Sequence, residues 1–193
     1  AILGRARDVS EDVRLHALDV LEKKVEMRWL SISQRNALMQ TCLRDRQPKV
    51  RKACAQLVGS WLRKADGQPM VLLKALDVSN NEATALLVVQ AMLSGAADRE
   101  GTAAAAPLVA KAAAEEWEPA LEAASAAGVE TVVAATLCLR AHLQHIAESA
   151  KDDAAREAAL EAARPELVPY CQRVQLLHRA LREAADAGQA ARA

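Results

Sequence analysis

From Ser10 onward, Val13, Ala17, Val20, Leu21 and Val25 recur at steps of three and four. This spacing predicts a helix over 10–27, with Ser10 as N-cap and Glu11 and Asp12 in its first turn. Ser31 or Ser33 caps a second expected helix running to about Leu43. A third starts at Pro48, buries Val50, Cys54, Leu57, Val58, Trp61 and Leu62, and stops around Gly67. Pro69 opens the short helix "MVLLKAL", and the turn "DVSNN" leads into "EATALLVVQAMLSG", stopped by Gly95. Helical spacing resumes over 108–127, 131–149, 153–163 and 166–186. Gly128 and the pair Pro165 and Pro169 are read as breaks, and the Ala-rich end is read as fraying. Residues 96–107, "AADREGTAAAAP", present no apolar face and read as a loop or insertion.

The phrase "RDVSEDVRLHALDVL" at 7–21 returns as "RDRQPKVRKACAQLV" at 44–58, so that Asp8 and Asp45, like Val13 and Val50, stand 37 positions apart. Short helices, tight turns and a period of this length describe an all-α chain, an α-solenoid of HEAT-type helical hairpins. In such a hairpin the Asp accepts backbone N–H bonds at the turn. The Arg after the buried Val reaches the Asp of the adjoining tier. Asp8, Arg14, Asp45 and Arg51 are therefore expected to form a structural ladder. A third unit keeps Asp77 but loses Val-Arg, which makes the array degenerate. The expected organisation is HEAT repeats over 1–95, the loop over 96–107 and further degenerate helical repeats over 108–193. The chain starts in mid-pattern without Met and reads as a piece of a longer superhelix.

Composition supports this fold class. The 44 alanines, with only seven Gly and six Pro, favour helix and deny a β-sandwich its turns. No apolar run approaches the ~18 residues a membrane span needs. Cys42, Cys54, Cys138 and Cys171 contain no Cys-x-x-Cys and read as reduced thiols of an intracellular protein.

Net charge is zero, yet residues 1–64 hold 14 Lys+Arg against 7 Asp+Glu, leaving 11 against 18 of the 25 of each sign for the rest. A basic half beside an acidic half suits a polyanionic partner at one end. Lys49, Lys52, Gln56 and Arg63 fall on the arc opposite Val50. Arg44 and Arg46 lie in the preceding turn, and Lys23, Lys24 and Arg28 close the earlier helix. With no aromatic residues interleaved for stacking, this set suits phosphates rather than bases. The outward arc Asp19, Glu22 and Glu26 is acidic, so the basic surface is expected to be interrupted.

Catalytic motifs are missing: there is no P-loop, Gly-x-Gly-x-x-Gly, His-Glu-x-x-His or Gly-x-Ser-x-Gly. Cys138, His142 and His145, with Glu148 one step on, share a helix face and are chemically able to hold zinc. Their place beside the apolar stripe Val132, Leu139, Leu143 and Ile146 reads instead as half-buried flank residues. His16 and His178 stand alone. Glu115, Glu116, Asp152 and Asp153 suit helix starts or polar faces. The expectation is a non-enzyme with no cofactor, no metal and no small-molecule substrate.

Over residues 5–93 the sequence resembles the G-type HEAT-repeat subunits of condensin, the chromosome-associated protein G family. The resemblance rests on Arg7-Asp8-Val9 with Val13-Arg14, and on Lys24-Val25 leading to Leu30-Ser31-Ile32-Ser33-Gln34-Arg35. Asp45-Arg46, Val50-Arg51, Trp61-Leu62 and Leu72-Leu73 through Leu76-Asp77-Val78 complete it. Fainter likeness lies in "TLCLRAHLQHI" and "PELVPYC". The resemblance implies a non-catalytic subunit that grips double-stranded DNA without sequence preference, together with the kleisin subunit. ATP would be hydrolysed by the SMC subunits. It further implies a place in the nucleus and on mitotic chromosomes, with a cytoplasmic pool. The contrasting expectation is an α-solenoid scaffold that holds protein alone.

Overall fold

The computed structural model describes residues 2–93, 112 and 126–190, and among them there is helix but no strand. The elements are α1 (Ile2–Arg5), α2 (Glu11–Lys24), a 3-10 turn Met27–Trp29, α3 (Ile32–Cys42), α4 (Pro48–Lys64), α5 (Pro69–Lys74), α6 (Glu82–Leu93), α7 (Ala126–Ser149) and α8 (Asp153–Ala190). They form an α-solenoid fragment. Within the hairpins, α1 packs on α2, α3 on α4, and α5 meets the end of α4. The second helices make a row, α2 on α4 and α4 on α6. The long α7 covers α5 and α6, and α8 packs along α7.

Local chemistry explains most boundaries. Ser31 caps α3 with a reciprocal capping box: its Oγ accepts from the Gln34 N–H at 3.2 Å, and Gln34 Oε1 accepts from the Ser31 N–H at 2.9 Å. Pro48 occupies the first turn of α4, where its missing N–H has no helical partner to lose. At the other end Asp66 and Gly67 take left-handed φ of 54° and 75°, and the Gly67 N–H reaches back to the Leu62 carbonyl at 2.9 Å. Val50, Cys54, Leu57, Val58 and Trp61 all face one continuous core.

Three expectations about helix ends and faces are corrected. First, α2 stops at Lys24, and the chain turns through Met27–Trp29 before Ser31. Second, Gly128 lies inside α7. Third, Pro165 and Pro169 lie inside α8, which also carries the Ala-rich end in helical form to Ala190. Each proline removes one helical N–H, from the carbonyls of Glu161 and Pro165. Those residues are exposed, so water takes over the freed acceptors. Meanwhile Leu167, Tyr170, Val174 and Leu177 are buried, and the Tyr170 hydroxyl donates to the Ala135 carbonyl of α7 at 2.9 Å. Packing on α7 therefore holds α8 together through both prolines. The expected loop over 96–107, Gly95 and the helix start at 108 lie outside the described residues.

Tier-to-tier bonds tie the first helices as well. The Asn36 amide donates to the Leu76 carbonyl at 2.8 Å, and the Arg35 guanidinium donates to the Ala75 carbonyl. The two carbonyls lie just past the end of six-residue α5, and α3 supplies donors to them. The Cys42 thiol donates to the Ala6 carbonyl at 3.7 Å, linking the first two tiers.

Candidate nucleic-acid interface

The two copies of the repeated phrase make the same turn. Asp8 Oδ1 accepts from the Ser10 N–H at 3.0 Å, and Asp45 Oδ1 accepts from the Gln47 N–H at 2.8 Å. Arg14 Nη1 donates to the carbonyls of Asp8 and Val9 at 2.9 and 3.2 Å. Arg51 Nη1 does the same to Asp45 and Arg46 at 2.8 and 3.1 Å. The register is kept atom for atom.

One bond then joins the tiers. Arg14 Nη2 donates to Asp45 Oδ1 at 3.1 Å, while Nε sits 2.9 Å from Oδ2 without the alignment of a hydrogen bond. Both side chains keep only about a tenth of their surface in water, at 12% and 10%. Burial pushes the Asp45 carboxyl up, but the Gln47 N–H and the Arg14 charge outweigh it and leave it below the usual carboxylate range. Asp8 is also held low, by the Ser10 N–H first and then by Arg5, 3.1 Å away.

The ladder changes at the third tier. Asp77 has a left-handed φ of 52°, and its carboxylate accepts from the Asn80 amide at 2.9 and 3.1 Å. The residue 37 beyond Asp45 is Glu82, which pairs with Arg140 of α7 at 3.5 Å.

The Arg14–Asp45 bond puts the turns after α1 and α3 on the same edge of the stack. The ends of α2 and α4 lie at the opposite edge, because a 17-residue helix is about 25 Å long at ~1.5 Å per residue. Of the expected phosphate contacts, Arg44, Arg46, Lys49 and Lys52 are gathered, exposed, at the turn edge. Arg7 and Arg51 are exposed beside them. Lys23, Lys24, Arg28 and Arg63 belong to the far edge. There Lys23 pairs with Asp19 at 2.6 Å and Arg28 with Glu26 at 2.6 Å. An interrupted basic surface was the expectation, and the eight residues divide between the two edges.

The acidic arc of α2 is corrected too. Glu22 is buried and has a partner, and Asp19 and Glu26 are half-buried. Between α4 and α6 runs a groove of about 360 Å³. Leu43, Pro48, Ala55, Leu87 and Ala91 line it, with Arg51 and Lys52 at its side. Its apolar floor and cationic rim fit an extended chain carrying both apolar and acidic groups.

On α7, Cys138 is buried among Ala134, Ala135 and Ala141 rather than on the flank, and Leu143 is 40% exposed rather than in the stripe. The small residues let α7 approach its neighbours closely, and that turns a wide alanine face inward. His142 is half-buried; burial first, then His145, lowers its pKa against the pull of Glu166. Among the described residues no three His, Cys, Asp or Glu side chains stand together as a metal site. His16 is exposed, and His178 Nε2 lies 3.3 Å from the Thr136 hydroxyl. Asp152 accepts from the Ala155 N–H at 2.7 Å and so caps α8. Glu115 and Glu116 lie outside the described residues.

Sequence reasoning assigned no function to Arg35 and Asn36. The available signal was an asparagine in the apolar line Ile32–Asn36–Met39, a position that calls for a buried partner.

No family model matches the chain. Over 94 residues, 48% of the chain, it is 44% identical to Condensin complex subunit 3 of Homo sapiens, covering 9% of that protein. It is 39% identical over 94 residues, again 48% of the chain, to Condensin complex subunit 3 of Xenopus laevis, covering 9%. To that of Schizosaccharomyces pombe it is 40% identical over 92 residues, 46% of the chain and 10% of the relative. The chain thus spans about a tenth of the length of the curated relatives it matches. About half of this helical chain is thus similar in sequence to a tenth of condensin complex subunit 3.

Proposed function

We propose that this chain is a segment of a non-catalytic HEAT-repeat subunit of condensin, of the G type. In this reading it contributes to a surface that binds duplex DNA without sequence preference and a segment of the kleisin subunit. The observation that carries the reading is the 39–44% identity to condensin complex subunit 3 in a chain that gathers Arg44, Arg46, Lys49 and Lys52, exposed, at the turn edge of a solenoid. Arg44, Arg46, Lys49 and Lys52 supply the phosphate contacts, and no aromatic platform accompanies them to read bases. Lys24 at the end of α2 and Arg63 at the end of α4 carry the basic surface on to the far edge. The SMC subunits hydrolyse ATP and touch this segment only indirectly. Its place is the nucleus and the mitotic chromosome.

The test is a salt titration of duplex binding by the full-length subunit. Reversing Arg46, Lys49 and Lys52 to Glu removes up to three phosphate contacts. The log–log salt slope should then flatten by up to ~3 units, at ~0.9 per phosphate. Duplexes of unrelated sequence should lose affinity equally. An unchanged slope removes the turn edge from the DNA surface. The groove between α4 and α6 favours a second reading, a scaffold for protein alone. Under that reading a kleisin segment binds, duplex affinity does not rise when the segment is present, and the charge reversals leave duplex binding untouched.

A further inference from the structure

Arg51 repeats Arg14 one tier on, but only half of the arrangement is completed. In each residue Nη1 donates to two carbonyls of the preceding turn, at 2.9 and 3.2 Å from Arg14 and at 2.8 and 3.1 Å from Arg51. In Arg14 the remaining edge of the guanidinium, Nε and Nη2, stands 2.9 and 3.1 Å from the two carboxylate oxygens of Asp45. Among the described residues no carboxylate takes that edge of Arg51. Asp77 accepts from Asn80 instead, and Glu82, 37 positions beyond Asp45, pairs with Arg140. Arg51, Lys52 and Gln90 wall the groove of about 360 Å³ between α4 and α6, and Leu43, Ala55 and Leu87 belong to its apolar floor. None of its lining side chains is acidic. From this geometry we propose that the groove docks an extended acidic segment of another protein. An Asp or Glu carboxylate of the segment takes the open edge of Arg51, and an adjacent aliphatic side chain enters the floor.

The chemistry of the occupant follows from charge and shape. Arg14 and Asp45 show which ligand the anchored guanidinium accepts, a planar carboxylate set against its Nε–Nη2 edge. Lys52 adds a second positive charge. The half-buried Gln90 amide offers the main chain of the segment both a donor and an acceptor. Leu43, Ala55 and Leu87 favour a ligand with apolar surface to bury, which a nucleic-acid backbone lacks. A phosphate would use the rim and leave the floor wet. A cleft of this volume between packed helices admits the side chains of an extended segment, not a whole helix ~10 Å across. The inference rests on the protein-binding part of the function proposed above, and what it adds is the place and the anchoring group.

The probe is a phage-displayed library of random peptides, selected in parallel on the full-length subunit and on its Arg51→Ala variant. Synthetic copies of the peptides enriched on the parent alone are then measured by fluorescence anisotropy. They should share an Asp or Glu beside Leu, Ile or Val, and changing that acid to its amide should weaken binding about tenfold. Arg51→Lys, which keeps the charge but loses the fork, should cost as much, and the amide change should then have no further effect. Gln90→Glu sets a like charge in the groove and should weaken the acidic peptides while leaving their amide forms unchanged. If every peptide that binds the parent binds Arg51→Ala equally well, the site is overturned, although protein binding elsewhere on the subunit survives. If no peptide binds either protein, both fall. Full binding to Arg51→Lys would overturn the carboxylate clamp. Peptides indifferent to the amide change but displaced by duplex DNA would make the groove part of a phosphate surface, which overturns the inference as well.

Discussion

Replacing Trp61 by alanine should lower the unfolding free energy by about 3–5 kcal/mol, the range for emptying a buried aromatic site. Trp61 is 2% exposed and sits in the continuous core near the end of α4, among the largest fully buried side chains. Its indole N–H is buried without a hydrogen-bond partner among the described residues. That makes Trp61→Phe the informative companion. It removes an unpaired donor, whose burial costs about 1–3 kcal/mol, while keeping most of the ring. Its net cost should therefore stay near 1 kcal/mol, the smaller cavity offsetting the lost penalty. Trp29, 62% exposed, is the control, and its alanine variant should change stability by no more than about 0.5 kcal/mol. Urea unfolding followed by circular dichroism separates the three. A Trp61→Ala variant as stable as the parent would mean that α4 does not pack as described.

Arg14→Ala should cost about 2–3 kcal/mol, somewhat below the ~3–5 of a fully buried pair, because both partners keep a little water contact. The change leaves the Asp45 carboxylate without its cation and the carbonyls of Asp8 and Val9 without a donor. Arg51→Ala removes the same carbonyl bonds one tier on, from an exposed side chain, and should cost less than about 1 kcal/mol. The difference between these two arginines measures the tier-to-tier bond. The pair also has a pH signature. The Asp45 carboxyl is held below its unfolded value of ~3.9, so its contribution is present above that pH and fades as pH falls through the folded value. Asp45→Asn keeps an acceptor for the Gln47 N–H but has no charge to lose. Between about pH 4 and pH 2 its stability should fall less than the parent's. Parallel acid curves for parent and variant would contradict the pairing.

The turns show how much of this was readable along the chain. Asp8 and Asp45 bond to the N–H two residues ahead, a local interaction that one short segment encodes by itself. The helix of Pro48–Lys64 was equally readable, with a proline tolerated at its start and a glycine free to turn at its end. The prolines of α8 were misleading for the complementary reason. A breaker acts through the hydrogen bond it removes, and that loss is small where the freed carbonyl meets water and the other face is anchored by Tyr170 and Leu177 on a neighbour.

The candidate surface divides along the same line. Residue type and spacing placed Lys49, Lys52 and Arg63 on one helix face, which periodicity alone can do. Periodicity carries no distance between helices. It placed Arg44 and Arg46 in the turn before Lys49, but it missed that Lys23 and Arg28 pair with acids at the opposite edge.

By itself the sequence determined an all-helical array with a 37-residue register and a basic first third, since helix propensity, capping and charge are properties of the local chain. The tertiary structure alone decided which arginine meets which aspartate across tiers, which glutamate turns inward, and which two cysteines share a hairpin core. Those outcomes depend on how neighbouring helices rotate against one another to fill space, and no single segment encodes that rotation.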